Sequence, residues 1–561
     1  SGSAVPKASV RRTVAGHSVP RIDIPDKVFA QPRFIHDIAM PGMLHGRVLR
    51  SELLHAALVE LKEDGARKIK GLVAIVRDGD FAGLVCETEA NAELALTALR
   101  KGARWSLREH LPDENGLAEW LKAQPAELSV IASKKASDPL AKARTIRRQF
   151  TRPYITHGSI APSCAIAQWS SDRVRVWTHS QGVYLLRADL ALVLKIPAEN
   201  ITVEHMEGAG CYGHNAADDV ALDAVLLAKA APGRPVRVQW SRADEMSHAP
   251  FGAAMTIEIE AGLDGRGEIA DWRHTIWSNG HTARPGRANI PALLAATELA
   301  DPFPRLIATN PAQATGGGAD RNSIPPYDFP SVHVECHRLT TMPIRTSALR
   351  TLGAQGNVFA IESFIDELAV ERGEDPVAFR LRHLSDSRAS DVIRLVARLA
   401  GWKPAKRDGI GHGLGFARYK GTGAYCAVIA EVEGAEEIAV KRLTIAADVG
   451  EAINPDGLIN QIEGGAIQAT SWVLKERLRF DATRITSNSW TEYPILRFSE
   501  VPEVNVEVIS RPDIEPVGAG EAAHGPVTAA IGNAVFDALG VRIRDLPITR
   551  ERLIAAMELA S

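Results

Sequence analysis

A multi-domain α+β protein is what this sequence predicts, on three observations. Its 561 residues leave room for three or four domains of about 150 residues each. Hydrophobic residues make up 45% of the chain and charged residues 24%, the balance of an ordinary globular protein. Short runs of period-two alternation mix along the whole length with stretches of helical period, and neither kind takes over.

The elements follow in order. Over 20–130, "MLHGRVLRS" and "GLVAIVRDGDFAGLVC" carry strand-like runs, and "ANAELALTALRKGARW" has apolar residues at helical spacing and stops near Gly102. The polar stretch 131–143, "IASKKASDPLAKA", predicts a linker. From "ARTIRRQFTRPYITHG" onward strands and helices alternate: "RVRVWTHS" a strand, "GVYLLRADLALVLK" a helix, "ENITVEHME" a strand. Residues 283–328, rich in Pro, Gly and Ala, predict a long irregular excursion. "NVFAIESFIDELAVERGEDPVAFRLRHL" is helical, with a boundary after it near 385. The last block has strands at "AYCAVIAEVE" and "IAVKRLTIAAD", a helix at "LINQIEGGAIQATSWVLKE" and a last helix at "GPVTAAIGNAVFDALG". The domains expected are therefore 18–130, 144–385 and 386–561.

Charge and cysteine usage narrow the function. A net charge of -3 gives no electrostatic case for nucleic acid or an anionic membrane. The five cysteines, Cys86, Cys164, Cys211, Cys336 and Cys426, form no C-x-x-C pair, so no disulfide framework, zinc ribbon or iron–sulfur ligand set is expected, and no metal ligand set of this chain's own. No apolar run is long enough to span a bilayer. The opening "SGSAVPKASVRRTVAG" reads as the start of a fragment rather than a natural N-terminus. No compartment is assigned: the cytoplasm is slightly favoured, and export with a signal-bearing partner would lead to the periplasm.

The stretch with most to say is "EGAGCYGHNAADD", 207–219. Gly208, Gly210 and Gly213 have the spacing of a dinucleotide fingerprint and join the strand "ENITVEHME" to the helix "AADDVALDAVLLAKAA". Asn215 is placed to cap that helix, and Asp218, Asp219 and Asp223 crowd its first turns. Such acids would repel a pyrophosphate, and no ribose-binding acid follows about 20 residues on. On spacing alone the loop is equally a tight glycine turn with no ligand.

Further segments change that reading. "RTSALRTLGAQGN" (345–357), "ADVGEAINPDGLINQIEGGAIQA" (447–469) and "PVGAGEAAHGPVTAAIGNAVFDALGVRIRDLPIT" (516–549) follow "HSQGVYLLRADLALVLKIPAENITVEHMEGAGCYGHNAADDVALDA" (179–224) in a recognisable order. Over nearly all of 15–560 the chain resembles the molybdopterin-binding large subunit of the xanthine oxidase and aldehyde oxidoreductase family, nearest the nicotinate dehydrogenase and isoquinoline oxidoreductase type. The resemblance implies a small α/β hammerhead domain followed by two elongated mixed α/β molybdopterin-binding domains. It also implies a cofactor, molybdenum on molybdopterin cytosine dinucleotide, with oxo, sulfido and hydroxo ligands on the metal. By the same resemblance Gln181 lies beside the metal's apical ligand, and the backbone of Gly208, Gly210, Cys211, Tyr212 and Gly213 faces the pterin. Arg350 stands on the loop next to the metal, Gln461 bonds the pterin or its nucleotide tail, Gly518 and Gly520 of the "GAGE" loop also contact the cofactor, and Glu521 is the active-site glutamate. Asn215 and Arg350 are the candidate substrate contacts.

The family's reaction hydroxylates an electron-poor carbon with oxygen from water, so it needs a carboxylate in a dry site to take a proton. On composition alone Glu521 is a solvated surface charge; only the motif makes it the base. Arg350 either orients substrate or makes a structural salt bridge. His524 is a second polar group near the base or a capping and packing residue, and Cys211 contributes backbone rather than a thiolate ligand. A G-Q-G signature that such subunits carry near the N-terminus is not found in this chain. Either a further polypeptide supplies that block, or the natural chain has been cleaved or truncated and the block is its detached first part. An iron–sulfur subunit that carries [2Fe-2S] clusters is expected as well, with a flavoprotein or cytochrome c beyond it. The substrate expected is a small N-heteroaromatic or an aldehyde, admitted by loops within 283–328 and 415–426. Two other readings stay open here: a cofactor-free scaffold that mediates assembly, and a nucleotide-dependent dehydrogenase.

Overall fold

The computed structural model describes residue 4 and residues 7–136, 142–402, 409–434 and 437–560. Four sheets organise the described residues. A seven-stranded mixed sheet runs in the order Ile201–His205, Arg173–Thr178, Cys164–Ser170, Pro235–Gln239, Leu44–Leu49, Phe81–Cys86, Leu72–Asp78. Strands from the first 130 residues are thus continuous with later ones, through the parallel pairing of Leu44–Leu49 with Pro235–Gln239. A five-stranded sheet runs Ala126–Lys134, Ser331–Leu339, Ile269–Asn279, Met255–Leu263, Arg144–Arg152. A four-stranded sheet of Ile410–Arg418, Tyr425–Gly434, Ile438–Asp448 and Glu503–Val508 serves the C-terminal part, and a small ribbon pairs Ala56–Leu61 with Ala103–Leu107.

Most of the segments with clear periodicity form as expected. The helix Glu89–Gly102 is capped by the Thr88 side chain and buries Ala92, Ala95, Leu96 and Leu99, one face at helical spacing. The excursion 283–328 contains only two 3-10 turns, Ala295–Thr297 and Gln313–Thr315. Two expectations need correction. Within 131–143, residues 131–134 finish the strand Ala126–Lys134, whose partner Ser331–Leu339 lies some two hundred residues away in sequence. A polar edge strand looks like a linker because it stays mostly exposed and its pairing comes from that distant partner; residues 137–141 lie outside the described residues, as do 1–3 and 5–6 of the opening segment. The helix His524–Leu539 is not the last, since Arg550–Ala560 is helical as well.

The largest apolar cluster joins the five- and four-stranded sheets through the two buried helices Ala354–Glu371 and His524–Leu539. What sets the second helix in place is the alternation Gly411, Gly413, Gly415 in the strand beneath it. A Cβ at these positions would stand 2.0, 2.2 and 2.1 Å from the carbonyl oxygens of Ala534, Ala530 and Pro526. Helix backbone therefore lies directly on strand backbone, a distance only glycine permits. This contact holds the start of His524–Leu539, and with it the short loop that precedes the helix, against the rest of the molecule. Among the described residues no helix is long and apolar enough to cross a membrane.

Candidate active site

The glycine loop lies between the strand Ile201–His205 and the helix Ala217–Ala228. Its far end is stitched to a second loop: Arg350 N–H donates to the Tyr212 carbonyl at 2.8 Å and His214 N–H to the Ala348 carbonyl at 2.6 Å. Gly213 makes this pairing possible. Its φ is +129°, and a Cβ would stand 2.1 Å from the Ala348 oxygen. The acids that crowd the following helix are all buried and partnered. Asp218 meets His214 at 2.8 Å, Asp219 takes both Arg345 nitrogens at 2.8 and 2.6 Å, and Asp223 accepts from Arg50 at 2.6 Å and Trp240 at 2.7 Å. None of the three lines the cleft beside the loop: Asp218 ties the helix to the loop through His214, and Asp219 ties it to Arg345.

The loop opens on that cleft, of about 730 Å³. Gln181, Cys211, Tyr212, Gly213, Arg350, Gln461, Gly520 and Glu521, from segments far apart in sequence, all line it. Gln181 donates to Cys211 Sγ at 3.0 Å and accepts from Arg284 at 2.8 Å, so one wall is a short polar chain. The helix Pro455–Leu474 forms the opposite wall with Asn460, Gln461, Gly464 and Gln468.

Four of the sequence-derived residues stand elsewhere. Gly208 does not line the cleft; a Cβ there would meet the His179 ring at 2.7 Å. Gly210 faces the Tyr212 ring, and Gly518 stands in open space. Asn215 is 3% exposed, one residue before the helix's N-cap, Ala216, and its side chain accepts from the first helical N–H, that of Ala217, at 3.2 Å.

At the head of the cleft stands Glu521. Its Oε1 accepts from the Thr351 N–H at 2.7 Å, and its Oε2 accepts from the Tyr419 hydroxyl. Arg321 donates to the same hydroxyl at 2.7 Å and lies 3.8 Å from Oε2. Burial first, and then the Glu521 charge, push the Tyr419 phenol far above its ordinary range, so it stays neutral and serves as a donor. Arg350 grips the loop from the other side. Its Nε donates to the Gly520 carbonyl at 2.8 Å and its Nη1 to Gln468 at 3.1 Å, while burial lowers its pKa and Glu521 opposes that. Its hydrogen-bond partners are thus the Gly520 and Gln461 backbone carbonyls and the Gln468 amide. His524 is wholly buried against Trp472, with ring centroids 5.1 Å apart, and its Nε2 pairs with Gln468. Burial and Arg350 keep its imidazole neutral.

Arg321 and Tyr419 escaped the residue-by-residue reading. The signal that could have found them is positional: they fall in the two loop regions, 283–328 and 415–426, singled out as the substrate's entry.

The cleft suits a large polar cofactor. Its walls offer the amides of Gln181, Asn460, Gln461 and Gln468 and the guanidinium groups of Arg284 and Arg350, and a Cβ on Gly464 would meet no atom within 4 Å. Such donors match a pterin's hydrogen-bonding edge and a pyrophosphate.

Two models of the molybdopterin cofactor-binding domain match the chain, one over residues 123–299 and 310–384 and the other over 382–502. The B subunit of nicotinate dehydrogenase from Pseudomonas putida is 39% identical over 575 residues, covering 97% of this chain. The chain belongs to the xanthine oxidase and aldehyde oxidoreductase family of molybdopterin-binding subunits. It spans about half that relative's length, 47%. The beta subunit of isoquinoline 1-oxidoreductase from Brevundimonas diminuta is 27% identical, over 95% of this chain and 68% of its own. In fold, this molybdopterin-binding chain is similar to quinoline 2-oxidoreductase from Pseudomonas putida 86, with a TM-score of 0.80 and 17% identity over 99% of each chain. Aldehyde oxidoreductase from Desulfovibrio gigas superposes with a TM-score of 0.77 and 15% identity, over 97% of this chain and 81% of that one.

Proposed function

We propose that this chain is the catalytic molybdenum subunit of an oxidoreductase that hydroxylates a heteroaromatic ring carbon, or oxidises an aldehyde, with water as the oxygen source. The observation that carries the reading is Glu521, a carboxylate held by Thr351 N–H and Tyr419 O–H at the head of a cleft lined by Gln181, Gly213, Arg350 and Gln461. The names of the relatives, which act on nicotinate and isoquinoline, support the heteroaromatic class.

Gln181, the 211–213 backbone, Arg350 and Gln461 would hold the cofactor, in the cytosine dinucleotide form that the family resemblance favours. Bound there, the cofactor supplies oxygen transfer and takes up the two electrons released. The chain's own residues do the rest. Glu521 takes the proton that must leave as the new C–O bond forms, on an oxygen already fixed in direction by its donors. Thr351 N–H on Oε1 and Tyr419 O–H on Oε2 orient the carboxylate as a whole before reaction, which lowers the reorganisation the step requires. Arg350 locks the Gly520 carbonyl and thus the position of Glu521. Balanced, RH and water give ROH, two protons and two electrons. The electrons go to an iron–sulfur partner with [2Fe-2S] clusters, and a flavoprotein or cytochrome c accepts them next.

The test is a screen of N-heteroaromatics and aldehydes on the intact complex, with an artificial electron acceptor and ¹⁸O-labelled water. Turnover with label in the product and stoichiometric molybdenum is expected. A molybdenum-replete complex that turns over no member of either class overturns the proposal.

A further inference from the structure

Arg152 ends the strand Arg144–Arg152 beneath the cleft, 2% exposed. It is an unusual buried cation. Its Nη1 donates to the Leu352 carbonyl and touches Met255 Sδ at 3.8 Å, while its Nε and Nη2 have no hydrogen-bond partner among the described residues. No ion pair forms on it among the described residues, and burial pushes its pKa down to about 10, opposed only by the Tyr493 phenol.

The carbonyl it holds belongs to a strained turn. Thr351 and Leu352 are consecutive non-glycine residues in the left-handed region, at φ +77° and +52°. For a β-branched threonine that conformation is a true outlier, and the Thr351 hydroxyl has no hydrogen bond to reward it. What the conformation does achieve is direction. It turns the Leu352 carbonyl inward to Arg152 and the Thr351 N–H outward to Glu521 Oε1 at 2.7 Å. The flanks are pinned separately, Arg350 N–H on Tyr212 and Gly353 N–H on Gly318 at 3.0 Å. Within the turn itself, the Leu352 N–H reaches Leu349 at 2.8 Å, and Arg152 is the donor the carbonyl depends on.

We propose that Arg152 is a positioning residue for the base: it holds the Thr351–Leu352 turn in its left-handed form, and so keeps the Thr351 amide on Glu521. The role rests on the proposed reading of Glu521, but the geometry of the turn can be tested without it. Without Arg152 the Leu352 carbonyl is left unpaired in a dry site, and the turn relaxes to unstrained backbone with its amide swung off the carboxylate.

The experiment compares Arg152→Met with Arg152→Gln, in the full chain and in the cofactor-loaded complex. Hydrogen exchange of the peptide spanning 349–356 reports the turn directly. In Arg152→Met its exchange should rise about tenfold, as expected for one lost hydrogen bond to a charged donor, with distant segments unchanged. The denaturation midpoint should stay level or rise, because strain and an unpaired charge are both removed. In the loaded complex kcat should fall about 10- to 100-fold with KM and molybdenum content little changed. Arg152→Gln keeps a donor for Leu352 and should restore both protection and kcat. The proposal is overturned if Arg152→Met keeps its protection, or loses protection everywhere together with midpoint and metal, as a merely structural residue would. It is also overturned if Arg152→Gln behaves as Arg152→Met does. A wild-type complex without turnover would defeat the proposed function, and the exchange measurements would still decide the role of Arg152.

Discussion

Replacing Tyr419 by phenylalanine removes one oxygen from the site and almost nothing else. Tyr419 is 7% exposed, and its ring keeps the same packing in the variant. Lost are the donor to Glu521 Oε2 and the acceptor for Arg321. A hydrogen bond to a charged group is worth about 1.5–3 kcal/mol, or about 10- to 150-fold in rate if it acts wholly in the transition state. Two features place the effect toward the lower end. Thr351 N–H still holds Oε1, and Arg321, 3.8 Å from Oε2, is free to move in once the phenol oxygen is gone. Arg321 also keeps its bonds to the Gly316 and Gly317 carbonyls at 2.9 Å, so the fold should lose no more than about 2 kcal/mol. The expected outcome is a fall in kcat of about 10- to 30-fold with KM within about threefold, read by steady-state kinetics on a complex of verified molybdenum content. A molybdenum-replete Tyr419→Phe complex with kcat within about threefold of wild type would show that the hydroxyl does not orient the base.

Other outcomes follow from the same geometry. Glu521→Gln should retain molybdenum and pterin and lose about 10²- to 10⁴-fold in turnover, and near-normal rates in a metal-replete sample would remove Glu521 from the mechanism. Gly213→Val puts a side chain into the Ala348 carbonyl, 2.1 Å from its Cβ, and forces a left-handed valine; metal analysis should show depleted molybdenum, and full occupancy at full rate would reduce the loop to a turn. Glu476, fully buried beside Tyr493, has its pKa pushed up to about 7 by burial. The folded chain therefore holds a proton that the unfolded chain releases near pH 4.5, and stability falls as pH rises between those values, by about 3 kcal/mol in all. Glu476→Gln should flatten that slope and raise the denaturation midpoint at pH 8 relative to wild type, and an unchanged pH dependence would place the charge elsewhere.

Local pattern carried much of this molecule. Strands and helices with clean periods, such as Arg173–Thr178 and Glu89–Gly102, bury the face their residues announce, because one stripe of side chains suffices to specify them. The order of motifs led to the family, because several short segments in a fixed sequence are legible along the chain without any knowledge of their contacts, and "GAGE" led to Glu521. Tertiary structure decided the rest. It showed that the acids after the glycine loop are buried partners of His214, Arg345 and Arg50, and that Gly208 accommodates His179. It turned the end of a polar stretch into the strand Ala126–Lys134. Above all it brought Thr351, Tyr419 and Arg321 around Glu521 from 170, 102 and 200 positions away. No periodicity records such pairs: each is a single hydrogen bond or ion pair across the fold, and its direction exists only once distant backbones have met.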